Sequence, residues 1–338
     1  MTILSKPVSF FWEISHHCNL QCIHCYTNSG KEHSINVDLS HAKNVIDQAE
    51  RDGIVGYAIG GGEPLLLPYL SELIEYSVSK KIGVTVTTNG TLLTEDNVKR
   101  LADAGLTLVQ VSIDGDQEIH DALRGEGTYV KALKGAELLM RHGIMIRIAT
   151  TLNKLNMHTI KHVIANTRKL GVKTQLFFRY MPTSKMVDKL DLTCDDLLTI
   201  TKILLEEEQN SNRTPGSEKF SLGFAPLNFF SFLLYPKHLF MLGCTAGCGK
   251  YNILPDGTVT PCSHVHKGVG NIYTQDSTYV WQKVVEAREE LMIIPDECKE
   301  CEHAEVCRGG CKGFSFIKYG NFSNKDYGCF KHLLGVMK

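Results

Sequence analysis

Six apolar runs punctuate the first half of the chain: VSFFWEI (8–14), IVGYAIG (54–60), IGVTVTT (82–88), LTLVQVSI (106–113), IMIRIATT (144–151) and VKTQLFFRY (172–180). They are rich in Val, Ile, Thr and Phe, and several lack a polar residue at every second position. That is the pattern of strands buried on both faces of a parallel sheet. Amphipathic stretches separate the runs. DLSHAKNVIDQAERDG (38–53) and TEDNVKRLADAG (94–105) open on cap-type residues and close on glycine, and helical spacing recurs over 128–142 and 157–170. Six strand–helix units in succession predict an α/β fold, a partial (β/α)6 TIM-like barrel over 7–182. A doubly wound open sheet is the competing arrangement.

A barrel of this kind carries its chemistry at the C-terminal ends of its strands. CNLQCIHCY (18–26) follows strand one, GGGEP (60–64) ends strand two, TTNG (87–90) ends strand three and SIDG (112–115) ends strand four. Singly, each has a plainer reading. Asn89-Gly90 and Asp114-Gly115 suit turns, and glycines 60–62 suit a crowded crossing, although three in a row also let a ligand approach the backbone. Their joint placement predicts one functional rim.

Charge and composition then remove some classes of function. Lys+Arg 36 against Asp+Glu 37 leaves a net charge of −1, so no global field draws the chain to nucleic acid or anionic lipid. The opening MTILSKPVSFFWEI lacks the basic and apolar regions of a signal peptide. The apolar stretch 224–242 is broken by Pro226, Pro236, Lys237 and His238, which favours burial in a core or cleft over a membrane span. A cytoplasmic location follows. Twelve cysteines in 338 residues without an export signal point to metal rather than disulfides.

A structural zinc site usually takes four protein ligands; the N-terminal loop offers three thiols, and His16, His17 or His24 would have to complete a Cys3His set. Thiolates also hold iron–sulfur cubanes, commonly four to a cluster, and three of them leave one iron open. Cys-x3-Cys-x2-Cys followed by an aromatic, with GGEP after the next strand, resembles the radical S-adenosylmethionine (SAM) superfamily over roughly 7–182. The resemblance implies a [4Fe–4S] cluster on Cys18, Cys22 and Cys25 whose open iron chelates the methionine end of SAM. One-electron cleavage of the sulfonium then yields a 5′-deoxyadenosyl radical that abstracts hydrogen from a substrate. It further implies Gly61, Gly62 and Glu63 at the methionine amino group through backbone carbonyls, Ser112 and Asp114 at the ribose hydroxyls, and Arg124 at a carboxylate. For Arg124 a solvated helix arginine is the plainer alternative.

The C-terminal cysteines form a second pattern. Cys244, Cys248, Cys262, Cys298-x2-Cys301-x5-Cys307-x3-Cys311 and Cys329 resemble the SPASM extension of radical SAM enzymes over about 241–332; the CxxC pieces alone would also suit a zinc ribbon. The resemblance implies two auxiliary [4Fe–4S] clusters, one on Cys244, Cys248, Cys262 and Cys311, the other on Cys298, Cys301, Cys307 and Cys329, for three clusters in all. Both are fully ligated, which implies electron transfer rather than substrate coordination. Cys194 stands apart behind a Thr193 helix cap; a helix N-terminus lowers a thiol's pKa, so it is the candidate hydrogen donor, against the plainer reading of a buried cysteine. EEEQNSNRTPGSEK (206–219) reads as a polar, mobile connection. The expected division is a barrel over 7–182, a connecting helix and loop over 183–240, and a small cysteine-rich iron–sulfur domain over 241–338.

The resemblance leaves the substrate open: a ribosomally made peptide to be crosslinked, oxidised or epimerised, or a small molecule such as a sugar or tetrapyrrole. Sulfatase maturases of the family carry an Asp after the cysteine equivalent to Cys262. Here Ser263 stands there, with His264 or His266 as substitutes. Strand one begins by about Val8, so an N-terminal leader-binding domain is expected to be absent, and a separate protein would present a leader. An external flavodoxin- or ferredoxin-type donor is expected to supply electrons. The aromatic run 229–235 reads either as a peptide groove or as core. A non-catalytic electron-transfer protein would not need the GGEP and SIDG rim, and a zinc-dependent binding module would not need an open three-thiol site.

Overall fold

Strand β1 (Ser9–Ser15) buries Trp12 and Ile14 completely and its polar Glu13 almost completely, as a strand covered on both faces must. Asp38 caps α1 (Leu39–Asp52) by accepting from the His41 backbone N–H, and Gly53 ends it at φ 76° in the left-handed region. Ala42, Val45, Ile46 and Ala49 form the buried stripe between those ends. Each large aliphatic buried this way contributes about 1.5–3 kcal/mol, so packing rather than helix propensity fixes the element.

The computed structural model describes residues 3–33, 37–183, 187–213, 220–225, 244–265, 267–329 and 331–334. The expectations for 214–219, for most of the apolar stretch 224–242 with its aromatic run 229–235, and for His266 lie outside them. The strand–helix alternation continues through β2 (Gly56–Gly61), α2 (Leu70–Ser79), β3 (Gly83–Thr88), α3 (Glu95–Asp103), β4 (Leu108–Ser112), α4 (Gln117–Arg124), α5 (Thr128–Arg141), β5 (Met145–Leu152), α6 (Ile160–Lys169) and β6 (Thr174–Arg179). Consecutive strands pair in parallel in chain order, the arrangement of a barrel rather than of a doubly wound sheet.

The sheet is longer than six strands. After α7 (Val187–Leu190) and α8 (Cys194–Arg213), β7 (Ser221–Ala225) adds to β6 in parallel. On the opposite side β8 (Lys250–Ile253) adds to β1 in parallel, and β9 (Thr258–Thr260) and β10 (Gly270–Asn271) follow antiparallel. The strand order is β10-β9-β8-β1-β2-β3-β4-β5-β6-β7, so among the described residues the ladder has two edges and does not close into a ring. The stretch from 206 is not a loose connection: it is helical through Arg213, because α8 is anchored by buried Leu197, Ile200 and Leu204 and then runs on through Glu and Gln, good helix formers.

The cysteine-rich end contributes α9 (Ser277–Leu291), α10 (Ala304–Cys307), α11 (Lys312–Tyr319) and α12 (Lys331–Leu334). It shares a core with the barrel: Leu152, Phe177 and Leu197 belong to the same buried cluster as Val265, Cys311 and Phe314. The joint is Arg179, at the end of β6. Its Nη1 donates to Asp326 Oδ1 at 2.8 Å with both side chains buried, and its guanidinium lies 3.8 Å from the Phe314 ring centre and 4.6 Å from that of Tyr327. Among the described residues no helix is long and apolar enough to cross a membrane.

Candidate active site

A cavity of about 470 Å³ opens at the strand ends and runs into the barrel. Cys18, Cys22 and Cys25, from the loop after β1, line it together with Gly61, Gly62 and Ser112. Local backbone bonds explain the convergence. The cysteine loop closes on itself where Cys18 N–H donates to Gly30 O and Gly30 N–H to His16 O, both at 3.1 Å. The glycine turn is then laced to the loop's entry, with Gly62 N–H on Ser15 O at 2.6 Å and Glu63 N–H on His17 O at 2.9 Å. Side chains would not fit there: a Cβ on Gly61, whose φ is 100°, would lie 2.4 Å from Ser15 O, and one on Gly62 would lie 2.0 Å from His17 O.

The donor set suits an iron–sulfur cluster. Backbone N–H groups point at sulfur, Leu20 at Cys18 Sγ and Ser29 at Cys25 Sγ, each at 3.4 Å, the polarity a thiolate needs. Burial pushes the Cys18 thiol up and that of Cys22 up to about 12, so a bare thiolate is disfavoured and bound iron would have to offset its charge. Among the described residues no three metal-ligating side chains converge on one point, as a zinc ion requires; a cubane's ligands each bind a different iron. His24 is turned away from the thiols, with Nε2 2.9 Å from Asp114 Oδ2, and His16 meets Glu13 at 3.3 Å.

Two rim residues carry buried carboxylates that hold neighbouring elements. Asp114 is fully buried and off the cavity wall: Oδ2 takes Arg124 Nε at 2.6 Å and His24, and Oδ1 accepts from Thr151 N–H at 2.7 Å. Burial alone would raise its carboxyl, but Arg124 and His24 hold it well below the usual carboxylate range. It therefore positions Arg124 and His24, both of which line the cavity. Glu63 is likewise buried off the wall, accepting from Leu65 N–H, Thr88 Oγ1 and Asn89 N–H; burial raises its carboxyl in spite of those bonds. Its side chain ties the ends of β2 and β3 together.

Cys194 lies apart from these residues. Thr193 does cap α8, accepting from Asp196 N–H, yet the thiol is not on the cavity wall: Sγ donates to Tyr327 O at 3.3 Å and Cys329 O at 3.5 Å. Burial, reinforced by Cys329, raises its pKa in spite of the nearby Arg179 charge. The other C-terminal cysteines fall into two neighbourhoods. Burial raises Cys244 and Cys311, and Cys262 raises both further, with Cys248 acting on Cys244. Burial likewise raises Cys298, Cys307 and Cys329; Cys329 adds to the first two, and Cys301 to Cys298 and Cys329. Lys331 Nζ donates to Cys301 Sγ at 3.2 Å.

Sequence reading missed Gln110, Arg147, Thr151 and Lys250 on the cavity wall, while Ser263 and His264 do line it. The signal was there: in MIRIATTL, Arg147, Ala149 and Thr151 face the lumen while Ile146, Ile148 and Thr150 face out, a strict period of two.

The chain matches the family model described as the radical SAM superfamily over residues 12–166, and the one described as an iron–sulfur cluster-binding domain, SPASM, over 244–312. It is 30% identical to mycofactocin maturase MftC of Mycobacterium tuberculosis, over 93% of this chain and 80% of that one. It is 27% identical to the AdoMet-dependent heme synthase of Methanosarcina barkeri, over 97% of this chain and 98% of that one. The structure of Streptococcus suis SuiB bound to precursor peptide SuiA shares the fold, with a TM-score of 0.78 at 20% identity over 96% of this chain and 76% of that one.

Proposed function

We propose that this chain, which belongs to the radical SAM superfamily and carries its SPASM extension, acts on a ribosomally made peptide. The observation that carries the reading is the meeting of three cavity-facing thiols, the Gly61–Gly62 turn and Ser112 at one rim. We assign Cys18, Cys22 and Cys25 to the SAM-binding cluster, Gly61, Gly62 and Ser112 to contacts with SAM, and Arg124 to its carboxylate. With cluster and SAM in place, the site supplies a 5′-deoxyadenosyl radical. The chain's own part is to orient SAM, to keep water from the lumen and to seat the substrate.

Cys244, Cys248, Cys262 and Cys311, and separately Cys298, Cys301, Cys307 and Cys329, would hold two auxiliary clusters, making three [4Fe–4S] clusters. A substrate radical that closes a new bond must give up an electron, and fully ligated clusters offer a path for it. With Cys194 away from the cavity, oxidative crosslinking fits better than epimerisation. Similarity to a maturase favours a peptide. The second reading, a carboxylate-bearing tetrapyrrole, is favoured by near end-to-end similarity to a heme synthase. We place the protein in the cytoplasm, with a flavodoxin- or ferredoxin-type donor and, for a peptide, a separate leader-binding protein. The working division remains barrel 7–182, connection 183–240 and extension 241–338.

The test is anaerobic incubation with SAM, strong reductant and the product of any adjacent small open reading frame. We expect slow 5′-deoxyadenosine formation without peptide, faster formation with it, and a peptide lighter by two hydrogens in intact-mass analysis. Cys25→Ala should abolish both products. An unaltered peptide beside a tetrapyrrole consumed with 5′-deoxyadenosine formation would overturn the peptide assignment, and no 5′-deoxyadenosine at all would overturn the site.

A further inference from the structure

Among the described residues, the cavity wall carries four cationic side chains, Arg124, Arg147, Arg179 and Lys250, and no Asp or Glu. Two of the four have carboxylate partners, Arg124 on Asp114 and Arg179 on Asp326. Lys250 is exposed, so water serves it. Arg147 has no carboxylate partner among the described residues. Its Nε is buried without a hydrogen-bond partner there, as are Arg179 Nε and Nη2, but Asp326 offsets the burial of Arg179, whereas burial alone acts on Arg147 and lowers its guanidinium pKa. A half-desolvated guanidinium without a counter-charge is costly to hold, and a ligand that brings an anion removes that cost.

Strand register locates the group. Gln110 stands opposite Arg147, and Ser112 stands opposite Ala149. Two residues of strand rise set Arg147 about 7 Å below the Ser112 level, deeper in the barrel than the rim. Above it the wall carries apolar Leu176, opposite Ala149, and Phe178, opposite Thr151. Phosphate sites are typically built from free backbone N–H groups at helix starts or glycine loops. At this depth the backbone belongs to parallel strands and is engaged in the ladder, which leaves a planar guanidinium fork and an amide. That pair matches a carboxylate.

We propose that Arg147, flanked by Gln110, is a carboxylate-binding subsite that anchors the substrate in the lumen beneath the cofactor rim, with the substrate's apolar body rising past Leu176 at the Ser112 level towards Phe178. The inference rests on the reading of that rim as the radical-generating site. The carboxylate has two possible sources, the terminus or acidic side chain of a peptide, or an acidic arm of a small molecule.

Two acid–amide pairs serve as probes on the anaerobically prepared holoenzyme with SAM: N-acetylphenylalanine against N-acetylphenylalaninamide, and 3-phenylpropanoate against 3-phenylpropanamide. Dissociation constants come from ligand-observed NMR. We expect each acid that binds to do so at least tenfold more tightly than its amide. R147Q should bring that ratio close to one, and R147K, which keeps the charge but not the fork, should retain part of it. Tighter binding of N-acetylphenylalanine identifies a peptide source, and tighter binding of 3-phenylpropanoate a non-peptide arm. Equal binding of acid and amide by the unmodified protein, no binding of any probe, or an unchanged ratio in R147Q overturns the proposal. Formation of 5′-deoxyadenosine by the unmodified protein is measured separately: its absence overturns the rim reading, while its presence without acid–amide discrimination overturns Arg147 alone.

Discussion

His120 shows how closely the site is drawn at the level of a single side chain. It is fully buried on α4, its Nδ1 accepts the Asp114 backbone N–H at 3.1 Å, and its Nε2 has no partner among the described residues. Burial, then the Arg124 charge, lowers its pKa from 6.5 to about 4. The folded pKa lies below the unfolded one, so in the pH 4–6.5 window the unfolded chain takes up a proton that the folded chain refuses. Stability from this residue is therefore complete above about pH 6.5 and is lost on acidification towards pH 4, by roughly 3 kcal/mol. Denaturant unfolding across that range should show the slope, and His120→Asn, whose side-chain oxygen can replace Nδ1 as acceptor, should flatten it. An equal slope in both proteins would exclude the assignment. The site's chemistry was legible in the sequence at this scale only in part. The SIDG motif marked the right loop, but Asp114 spends its carboxylate on Arg124, His24 and Thr151, which come from three other elements, and spacing along the chain cannot show that choice.

At the scale of elements, the end of β2 is where one residue sets the relation of two loops. Gly62 passes so close to His16 and His17 that a methyl would meet backbone atoms, which cannot swing aside as a side chain does. Gly62→Ala should cost at least the roughly 1–3 kcal/mol of core overpacking, and it should displace the cysteine loop as well. We expect a lower melting temperature together with a loss of bound iron; unaltered iron content would show that the two loops are not coupled. The six main strands were readable because buried parallel strands leave uninterrupted apolar runs, and their observed ends lie within two residues of the expected ones. Strand β7 was not readable. SLGFA is short and carries a glycine at its centre, and its pairing with β6 is what makes it a strand.

At the scale of the whole molecule, barrel and cysteine-rich end are one packed body joined at Arg179 and Asp326. Asp326→Asn keeps the shape and removes the charge, leaving a buried guanidinium uncompensated; breaking such a pair costs about 3–5 kcal/mol. The melting temperature should fall by several degrees, and Arg179→Met with Asp326→Leu should recover part of the loss. A single mutant as stable as the parent would show that the pair does not hold the joint. The spacing of eight cysteines announced this end of the molecule, whereas its fusion with the barrel sheet was invisible, because β8 meets β1 across more than two hundred residues. That pairing also has a bearing on how the chain is made. Translation delivers β1 first, and its outer edge waits for Lys250–Ile253 to leave the ribosome. At about 5–20 residues per second, the wait lasts from roughly ten seconds to most of a minute. Throughout it the cysteine loop that follows β1 hangs from a sheet still without its last strands.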